Sequence, residues 1–263
     1  MLLVIDVGNT NTVIGVFKND LLMEDWRIRT IKDTTADEFN ILAKALFADK
    51  EIKANDIDKI VISSVVPPAV GILNKFCEKY LLKTPIWISA ESVKKIMPVL
   101  YNNPDEVGAD RIVNAIAAYE KYRKSLIIID FGTATTFDAI SEKGEYLGGA
   151  ITPGVMISSE ALFQNASKLP RVEIFKAPDH VIGKNTIDSI KAGIIHGNAA
   201  LVDGMVARMA GEMNSSPMII ATGGLAILIA DSSRTIEKVE NSLTLDGLKI
   251  ISQSKDNKLY QNL

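Results

Sequence analysis

Two polar stretches, each directly after an apolar run, carry the side chains best suited to chemistry. Residues 2–5 lead into Asp-Val-Gly-Asn-Thr-Asn-Thr at 6–12, and residues 126–129 lead into Asp-Phe-Gly-Thr-Ala-Thr-Thr at 130–136. Each stretch has a carboxylate, a glycine that lets a ligand approach the backbone, and hydroxyl or amide groups that can hydrogen-bond to oxygens. Such a turn suits phosphate oxygens and the cations that accompany them.

The repetition of this pattern separates it from an ordinary loop. A single copy is equally well explained as a hairpin rich in Gly, Asn and Thr. The second copy lies at a separation close to half the chain length, and an accidental hairpin is not expected to repeat in register with a duplicated half. We therefore predict two related domains whose facing strand-turn-strand loops hold a nucleotide's phosphates in the cleft between them, with Asp6 and Asp130 directed at cations.

The apolar patterns of the first half predict the elements that position the first loop. We expect a meander completed by a strand at 26–30, and then a helix that begins within 33–38. A buried strand at 59–66, a helix at 70–80 and a strand at 85–88 follow. This order is typical of a mixed sheet with helices on both faces.

The second half carries two glycine-rich segments beside its strands. Residues 148–154 are too rich in glycine and proline for a regular element, so we predict a close-packed loop near the cleft. The strand at 218–221 leads into Gly223 and Gly224, which would let a flat ring or a phosphate lie against the backbone, although a plain strand-to-helix turn is equally compatible. The polar tail from residue 252 is expected to be a frayed terminus.

Asp110 is the best candidate for a general base. It lies at or beside the start of a predicted helix, where an aspartate ordinarily caps free N–H groups and complements the helix dipole. The neighbouring residues favour a catalytic role for Asp110. Arg111 supplies a positive charge, Gly108 lets a ligand come close to the backbone, and Tyr101 could form one wall of a pocket. Either Thr186 or its neighbour Asn185 is by default the N-cap of a helix, and the Thr186 hydroxyl could also reach a substrate.

Composition limits the classes of function. The chain has 263 residues, 47% hydrophobic and 23% charged, which predicts packed domains, and we divide it at 1–116 and 117–263. A net charge of -3 without a basic block disfavours a nucleic-acid partner. The single Cys77 is expected to be a buried structural thiol in a reducing compartment.

Several sequence signals are absent, and their absence disfavours further classes of protein. No apolar run approaches the ~18 residues that span a bilayer, and the first run is too short for a signal peptide, so we expect a cytoplasmic protein without a membrane partner. His180 and His196 have no metal-ligand spacing. The phosphate loop of the P-loop kinases and the Gly-x-Gly-x-x-Gly fingerprint are both absent, which disfavours those two classes.

The sequence resembles the type III pantothenate kinases, within the superfamily of acetate kinase, sugar kinases, Hsp70 and actin. The motifs that carry the resemblance run along nearly the whole chain: 6–11, 63–68, Tyr101 with Asn103 and Pro104, 108–111, 130–136, 149–154, 183–186 and 221–224. The tyrosine loop followed by Gly-Ala-Asp-Arg is what narrows the superfamily to this family. The fold that this implies is α/β, with two duplicated ribonuclease H-like (actin/Hsp70-like) domains, mixed sheets flanked by helices and an active site in the interdomain cleft.

The resemblance implies transfer of the γ-phosphoryl group of ATP to the 4′-hydroxyl of pantothenate, the first step of coenzyme A synthesis, by a homodimer. It makes Asp110 the base and Asp130 the ligand of a monovalent cation, K⁺ or NH₄⁺. Mg²⁺ would accompany ATP, with Asp6 as a candidate ligand. The predicted pantothenate site comprises Tyr101, Gly108, Ala109, Asp110, Arg111 and Thr186. The predicted ATP site comprises Asp6, Val7, Gly8, Asn9, Thr10, Asn11, Thr12, Val13, Thr133, Gly223 and Gly224.

The predicted phosphoryl transfer does not require an unusually strong base. Phosphoryl transfer passes through a loose transition state, so the alcohol keeps its proton until late and an aspartate of ordinary basicity suffices. Other hypotheses remain: a nucleotide-gated regulatory protein of the same fold, a kinase or phosphatase for a sugar, acetate or polyphosphate, or an inactive homologue. Tyr101 with the Gly-Ala-Asp-Arg loop argues against a pure nucleotide switch, and the intact acidic residues argue against an inactive homologue.

Overall fold

The apolar run at residues 2–5 forms the central strand of a five-stranded sheet in the computed structural model, which describes residues 1–254. The strands are β1 (Leu2–Val7), β2 (Asn11–Lys18), β3 (Leu21–Arg29), β4 (Lys59–Ser64) and β5 (Ile86–Trp87). Their order is β3-β2-β1-β4-β5, in which β1 to β3 pair antiparallel and β4 and β5 run parallel to β1. The predicted meander followed by parallel strands is confirmed.

A second five-stranded sheet repeats this arrangement. Its strands are β6 (Leu126–Phe131), β7 (Ala134–Ile140), β8 (Tyr146–Pro153), β9 (Met218–Thr222) and β10 (Lys238–Val239). The order β8-β7-β6-β9-β10 combines an antiparallel meander with two parallel strands, as in the first sheet. The same order and the same directions in both sheets confirm the predicted duplication of a ribonuclease H-like unit.

Strand β8 corrects one prediction, because the loop expected at 148–154 is wrong for all of these residues except Gly154. Ala150 lies opposite Phe137 and Thr152 lies opposite Thr135 in an antiparallel ladder with β7. In the described part of this sheet β8 is an edge strand, where glycine and proline are tolerated because one side of the strand donates no ladder hydrogen bonds. The amino-acid composition of a segment does not show whether that segment lies at the edge of a sheet.

The described residues form eight α-helices, several of which begin at clear sequence signals. They are α1 (Ala36–Asp49), α2 (Pro67–Phe76), α3 (Ala90–Val93), α4 (Ala109–Tyr122), α5 (Val155–Asn165), α6 (Thr186–Met213), α7 (Ala226–Ala230) and α8 (Leu243–Gln253). Thr35 and Glu38 form a capping box at the start of α1, with the Thr35 N–H 2.8 Å from the Glu38 carboxylate. The two prolines after β4 occupy the first turn of α2, where their missing N–H groups cost nothing.

The chain divides into two units, Met1–Ala117 with the segment from Leu243, and Ala118–Ser242. The predicted division at 1–116 and 117–263 differs from this at its C-terminal end, because α8 belongs to the first unit. Its Leu245, Leu248 and Ile251 side chains are buried, and the helix contacts β1 and β4. Residues 252 and 253 of the expected frayed tail close this helix, and 255–263 lie outside the described residues.

The single cysteine and the two histidines lie outside the two loops, and the cysteine is a structural residue. Cys77 is fully buried, and this burial raises the pKa of its thiol to about 12, so it is not a nucleophile at neutral pH. His196 lies with its Nε2 3.1 Å from the Pro178 carbonyl oxygen, and His180 is exposed. Within residues 1–254 we find no group of three or more His, Cys, Asp or Glu placed to hold a metal, and no helix there is long and apolar enough to cross a membrane.

Candidate active site

The first polar loop is a tight hairpin between β1 and β2. The Gly8 N–H donates to the Asn11 carbonyl at 3.0 Å, and Asn9 and Thr10 are exposed at the tip. Asp6 and Val7 end β1, while Thr12 and Val13 lie in β2. The structure therefore brings all eight predicted ATP-site residues from Asp6 to Val13 into one hairpin.

Thr30 holds this hairpin from the adjacent strand, and the sequence analysis assigned it no role. Its hydroxyl donates to the Gly8 carbonyl at 2.7 Å, and its N–H donates to the Thr10 carbonyl at 3.0 Å. The register of β2 with β3, in which Asn11 lies opposite Arg29, places Thr30 next to the loop. Pairing β2 with β3 residue by residue, starting from the turn that connects them, would have predicted that Thr30 lies beside the loop.

The second polar loop repeats the hairpin in the other unit. The Gly132 N–H donates to the Ala134 carbonyl at 3.1 Å, and Gly132 and Thr133 are exposed. Asp130 lies near the end of β6, opposite Thr136 in β7 and Thr222 in β9. The turn after β9 approaches this carboxylate closely.

Gly223 makes that approach possible. Its φ of 94° lies in the left-handed region, and a Cβ there would lie 2.5 Å from Asp130 Oδ1. Any larger residue would displace the carboxylate or the turn. The structure thus brings together Asp130 and Gly223, while Gly224 is exposed beside them.

Asp6 and Asp110 form a pair of interacting carboxylates within the first unit. Ser63, buried in β4 directly opposite Asp6, donates its hydroxyl to Asp6 Oδ1. Burial is the largest cause of the rise in the pKa of Asp6 to about 7, and the negative charge of Asp110 adds to it, against the Ser63 hydrogen bond and the charge of Arg27. Ser63 belongs to a motif noted in the sequence, but its role is visible only from the parallel register of β1 with β4.

Asp110 lies in the first turn of α4 with its carboxylate folded against the helix N-terminus. Its Oδ1 accepts the Arg111 N–H at 2.8 Å. Burial raises the pKa of Asp110, and the Arg111 N–H and guanidinium oppose that rise. A Cβ on Gly108 would lie 2.6 Å from the same oxygen, so glycine is needed for this carboxylate position.

The remaining predicted residues lie in different surroundings. Ala109 and Arg111 are buried, whereas Tyr101 is 36% exposed in the segment before the short 3₁₀ turn Pro104–Glu106. Thr186 belongs to the second unit and is the exposed first residue of α6. The cap of that helix is Asn185, whose side-chain oxygen accepts the Asp188 N–H at 2.9 Å.

The raised pKa of Asp6 predicts a pH-dependent gain of stability in Asp6→Asn. Asp6 binds its proton more tightly in the folded state, with a pKa of about 7 against an ordinary value of 3.8. Its contribution to stability is therefore complete below pH 4 and is lost as the pH rises through 7. We expect the variant to unfold with a free energy about 1–3 kcal/mol higher than the native chain at pH 8, and with no such gain at pH 4.

Urea unfolding in metal-free and nucleotide-free buffer at several pH values measures this difference. Asp105→Asn, which changes an exposed aspartate, is the matched control and should show no pH-dependent gain. A gain that is the same at pH 4 and pH 8, or no gain at all, would contradict the shifted pKa.

Comparison with known proteins identifies the family. Residues 2–208 match the family described as type III pantothenate kinase. A type III pantothenate kinase of Desulforapulum autotrophicum is 71% identical over 252 residues, 96% of each chain, and one of Desulfatibacillum aliphaticivorans is 62% identical over 251 residues, 95% of this chain and 97% of that one. Component A of the (R)-2-hydroxyglutaryl-CoA dehydratase of Acidaminococcus fermentans, at 14% identity, shares the fold with a TM-score of 0.58 over 96% of this chain and 99% of that one. This chain belongs to the type III pantothenate kinase family.

Proposed function

We propose that this chain transfers the γ-phosphoryl group of ATP to the 4′-hydroxyl of pantothenate, and that Asp110 accepts the hydroxyl proton. Family membership supports the pair of substrates. The observation that supports the role of Asp110 is that its negative charge raises the pKa of Asp6, because this puts a partly buried carboxylate near the loop proposed to hold the ATP phosphates. A base must lie close to the transferred group as well as to the acceptor.

The surroundings of Asp110 support a base that is stronger than an exposed aspartate. Burial moves its pKa upward, toward neutral pH, where a general base is most effective. The Arg111 N–H and the N-terminus of α4 stabilise the anionic form, so the carboxylate stays available to take a proton. An aspartate of ordinary basicity would suffice for a late proton transfer, and the raised pKa of Asp110 makes it a stronger base than that.

The acceptor site is proposed to include Tyr101, Gly108, Ala109 and Arg111. The buried Arg111 supplies positive charge next to the base, which would offset repulsion between the anionic substrates. The exposed Tyr101 ring is free to cover a bound molecule. Thr186 is proposed on the family resemblance alone.

The donor site is proposed to consist of the two hairpin loops. The residues from Asp6 to Val13 would hold the ATP phosphates, Thr133 would contact them from the second loop, and Gly223 and Gly224 would face the nucleoside. Mg²⁺ would arrive with ATP, since this ion commonly keeps waters and takes only one or two protein carboxylates. Asp6 fits that role, because a cation would relieve the cost of its buried negative charge.

A monovalent cation, K⁺ or NH₄⁺, is proposed to bind at Asp130. Its carboxylate lies at a strand end between two glycines, Gly132 and Gly223, which add no side chain to block an ion or its backbone ligands. A single positive charge there would lower the repulsion between Asp130 and the phosphates. The cation would act by neutralising charge and not by contacting the acceptor.

A homodimer is proposed from the apolar surface of the second unit. Phe175 is 80% exposed and Ile182 75% exposed, far more than isolated surface residues require. The other exposed apolar side chains of this stretch are Ile151, Met156, Ile157, Leu162, Phe163, Val181, Ile187 and Leu201. The cytoplasmic location and the absence of a nucleic-acid or membrane partner stay predictions from the sequence.

Asp110→Asn should lower turnover at least 100-fold while both substrates still bind, because an amide cannot take a proton. The assay couples ADP release to ATP, Mg²⁺ and K⁺, with and without pantothenate, and detects 4′-phosphopantothenate by mass. Asp105→Asn is the matched control and should keep the native rate. Near-normal turnover of Asp110→Asn would refute the base, and pantothenate-independent hydrolysis by the native chain would refute the acceptor.

Asp130→Ala should raise the KM for ATP and remove the dependence of the rate on K⁺, because it deletes the proposed ligand. Initial rates are measured against K⁺ concentration at fixed ionic strength. Glu142→Ala, at an exposed turn of the same unit, is the control. A variant that is still activated by K⁺, with unchanged affinity for ATP, would exclude a cation role.

Sedimentation equilibrium tests the homodimer directly. We expect a particle of twice the 28.6 kDa chain mass, because burying the exposed apolar surface stabilises the association. Phe175→Asp should shift the equilibrium toward the monomer, whereas Leu21→Asp, at an exposed apolar residue of the first unit, should not. A monomer for the native chain at micromolar concentration would refute the proposal.

A further inference from the structure

We propose that Thr30 is a positioning residue that sets the shape of the hairpin loop at 8–12 and thereby the affinity for ATP. The inference rests on the proposed function only in taking this loop as the phosphate-binding loop. Thr30 directly follows β3 and contacts the loop at three residues, Gly8, Thr10 and Thr12.

The three contacts form an ordered chain of hydrogen bonds. The Thr30 hydroxyl has one proton, which it donates to the Gly8 carbonyl at 2.7 Å. The contact of 2.9 Å between the Thr12 and Thr30 hydroxyls must then be donated by Thr12. A hydroxyl that accepts and donates at once strengthens both bonds, so Thr30 ties the two ends of the loop together.

This anchoring fixes the direction of a backbone donor. The Gly8 carbonyl and the Asn9 N–H belong to one planar trans peptide and point in opposite directions. With the carbonyl held by Thr30, the Asn9 N–H is turned away from Thr30, at an exposed residue of the loop. An N–H group fixed in advance binds a phosphate oxygen at lower entropic cost than one that must be ordered on binding.

Packing does little to fix the loop on the side of Thr30. Val7, Thr12 and Thr30 line a cavity of about 340 Å³ whose other walls include Phe39 and Leu73. A cavity lacks the close contacts that would otherwise hold the residues next to the loop. The polar contacts of Thr30 therefore carry support that packed side chains usually give.

Thr30→Val tests the proposal, because valine keeps the shape of threonine and the backbone N–H but removes the hydroxyl. We expect the Kd for ATP, measured by calorimetry with Mg²⁺, and the KM for ATP to rise about tenfold, consistent with two lost hydrogen bonds. The KM for pantothenate should change less than twofold. Thr30→Ser restores the hydroxyl and should bind ATP within twofold of the native chain.

Thr34→Val is the matched control. Thr34 lines the same cavity, and its hydroxyl lies 3.5 Å from the Glu38 carboxylate, away from the loop. This variant should bind ATP as the native chain does. If it loses affinity as Thr30→Val does, the effect comes from the cavity wall in general and the proposal is wrong.

The remaining outcomes separate this proposal from the function it rests on. An unchanged Kd for ATP in Thr30→Val, or no rescue by Thr30→Ser, overturns the role of Thr30 even if the native chain phosphorylates pantothenate. If the native chain binds ATP but leaves pantothenate unchanged, the acceptor is wrong, and a tenfold weaker Kd in Thr30→Val still supports Thr30. Should Thr30→Val fail to fold, Thr30→Ala is measured in the same way.

Discussion

The structure of the first unit depends on keeping two carboxylates close together in a partly buried place. Asp6 and Asp110 each lose hydration there, which raises the pKa of both, and the negative charge of Asp110 also disfavours the charge of Asp6. The unit offsets this with local donors: the Ser63 hydroxyl for Asp6, and the Arg111 N–H with the helix N-terminus for Asp110. Those donors are supplied by β4 and α4, so the pairing of β4 with β1 and the entry of the helix determine how both carboxylates are stabilised.

The second unit has the same kind of hairpin as the first, but its aspartate has different surroundings. Both hairpins close with a glycine N–H, and in both a carboxylate lies near the end of the strand before the loop. Asp6 faces Ser63 and a second acid, whereas Asp130 faces the backbone of Gly223. The fold therefore supplies two similar loops, and the residues beside each loop give the two aspartates different electrostatic surroundings.

Much of this architecture could be predicted because hydrophobic runs and breaks are local. The strands at 2–5 and 126–129 and the start of α1 at its capping box follow from neighbouring residues. Strand β8 was missed because tolerance of glycine and proline depends on being at an edge, which is a property of the whole sheet. Helix α8 was missed too, and its placement in the first unit depends on packing against distant strands.

The sequence predicts which residues form the candidate site better than it predicts the interactions among them. Asp6 and Asp130 stand out because each follows an apolar run and comes two residues before a glycine, and Asp110 stands out by its neighbours Gly108 and Arg111. Their partners could not be read in the same way, since Ser63 and Thr30 are ordinary hydroxyl residues that acquire a role only through strand register. Motifs identify the groups that do chemistry, whereas the groups that orient them are encoded in the pairing of strands.

Asp110 lies in the same unit as the first hairpin loop. The residues of α4 that follow it, Ile112, Val113 and Ile116, are buried in the unit that also holds the hairpin at 8–10. Val113 packs closely against Gly247 of α8, and α8 contacts β1, so close packing connects the helix of Asp110 to the strand that enters the loop. Phosphoryl transfer gains most of its rate from positioning, and placing the proposed base and the proposed phosphate loop in one unit serves that demand. The disadvantage of this arrangement is the unfavourable burial of the Asp6 carboxylate, which a cation arriving with the nucleotide would offset.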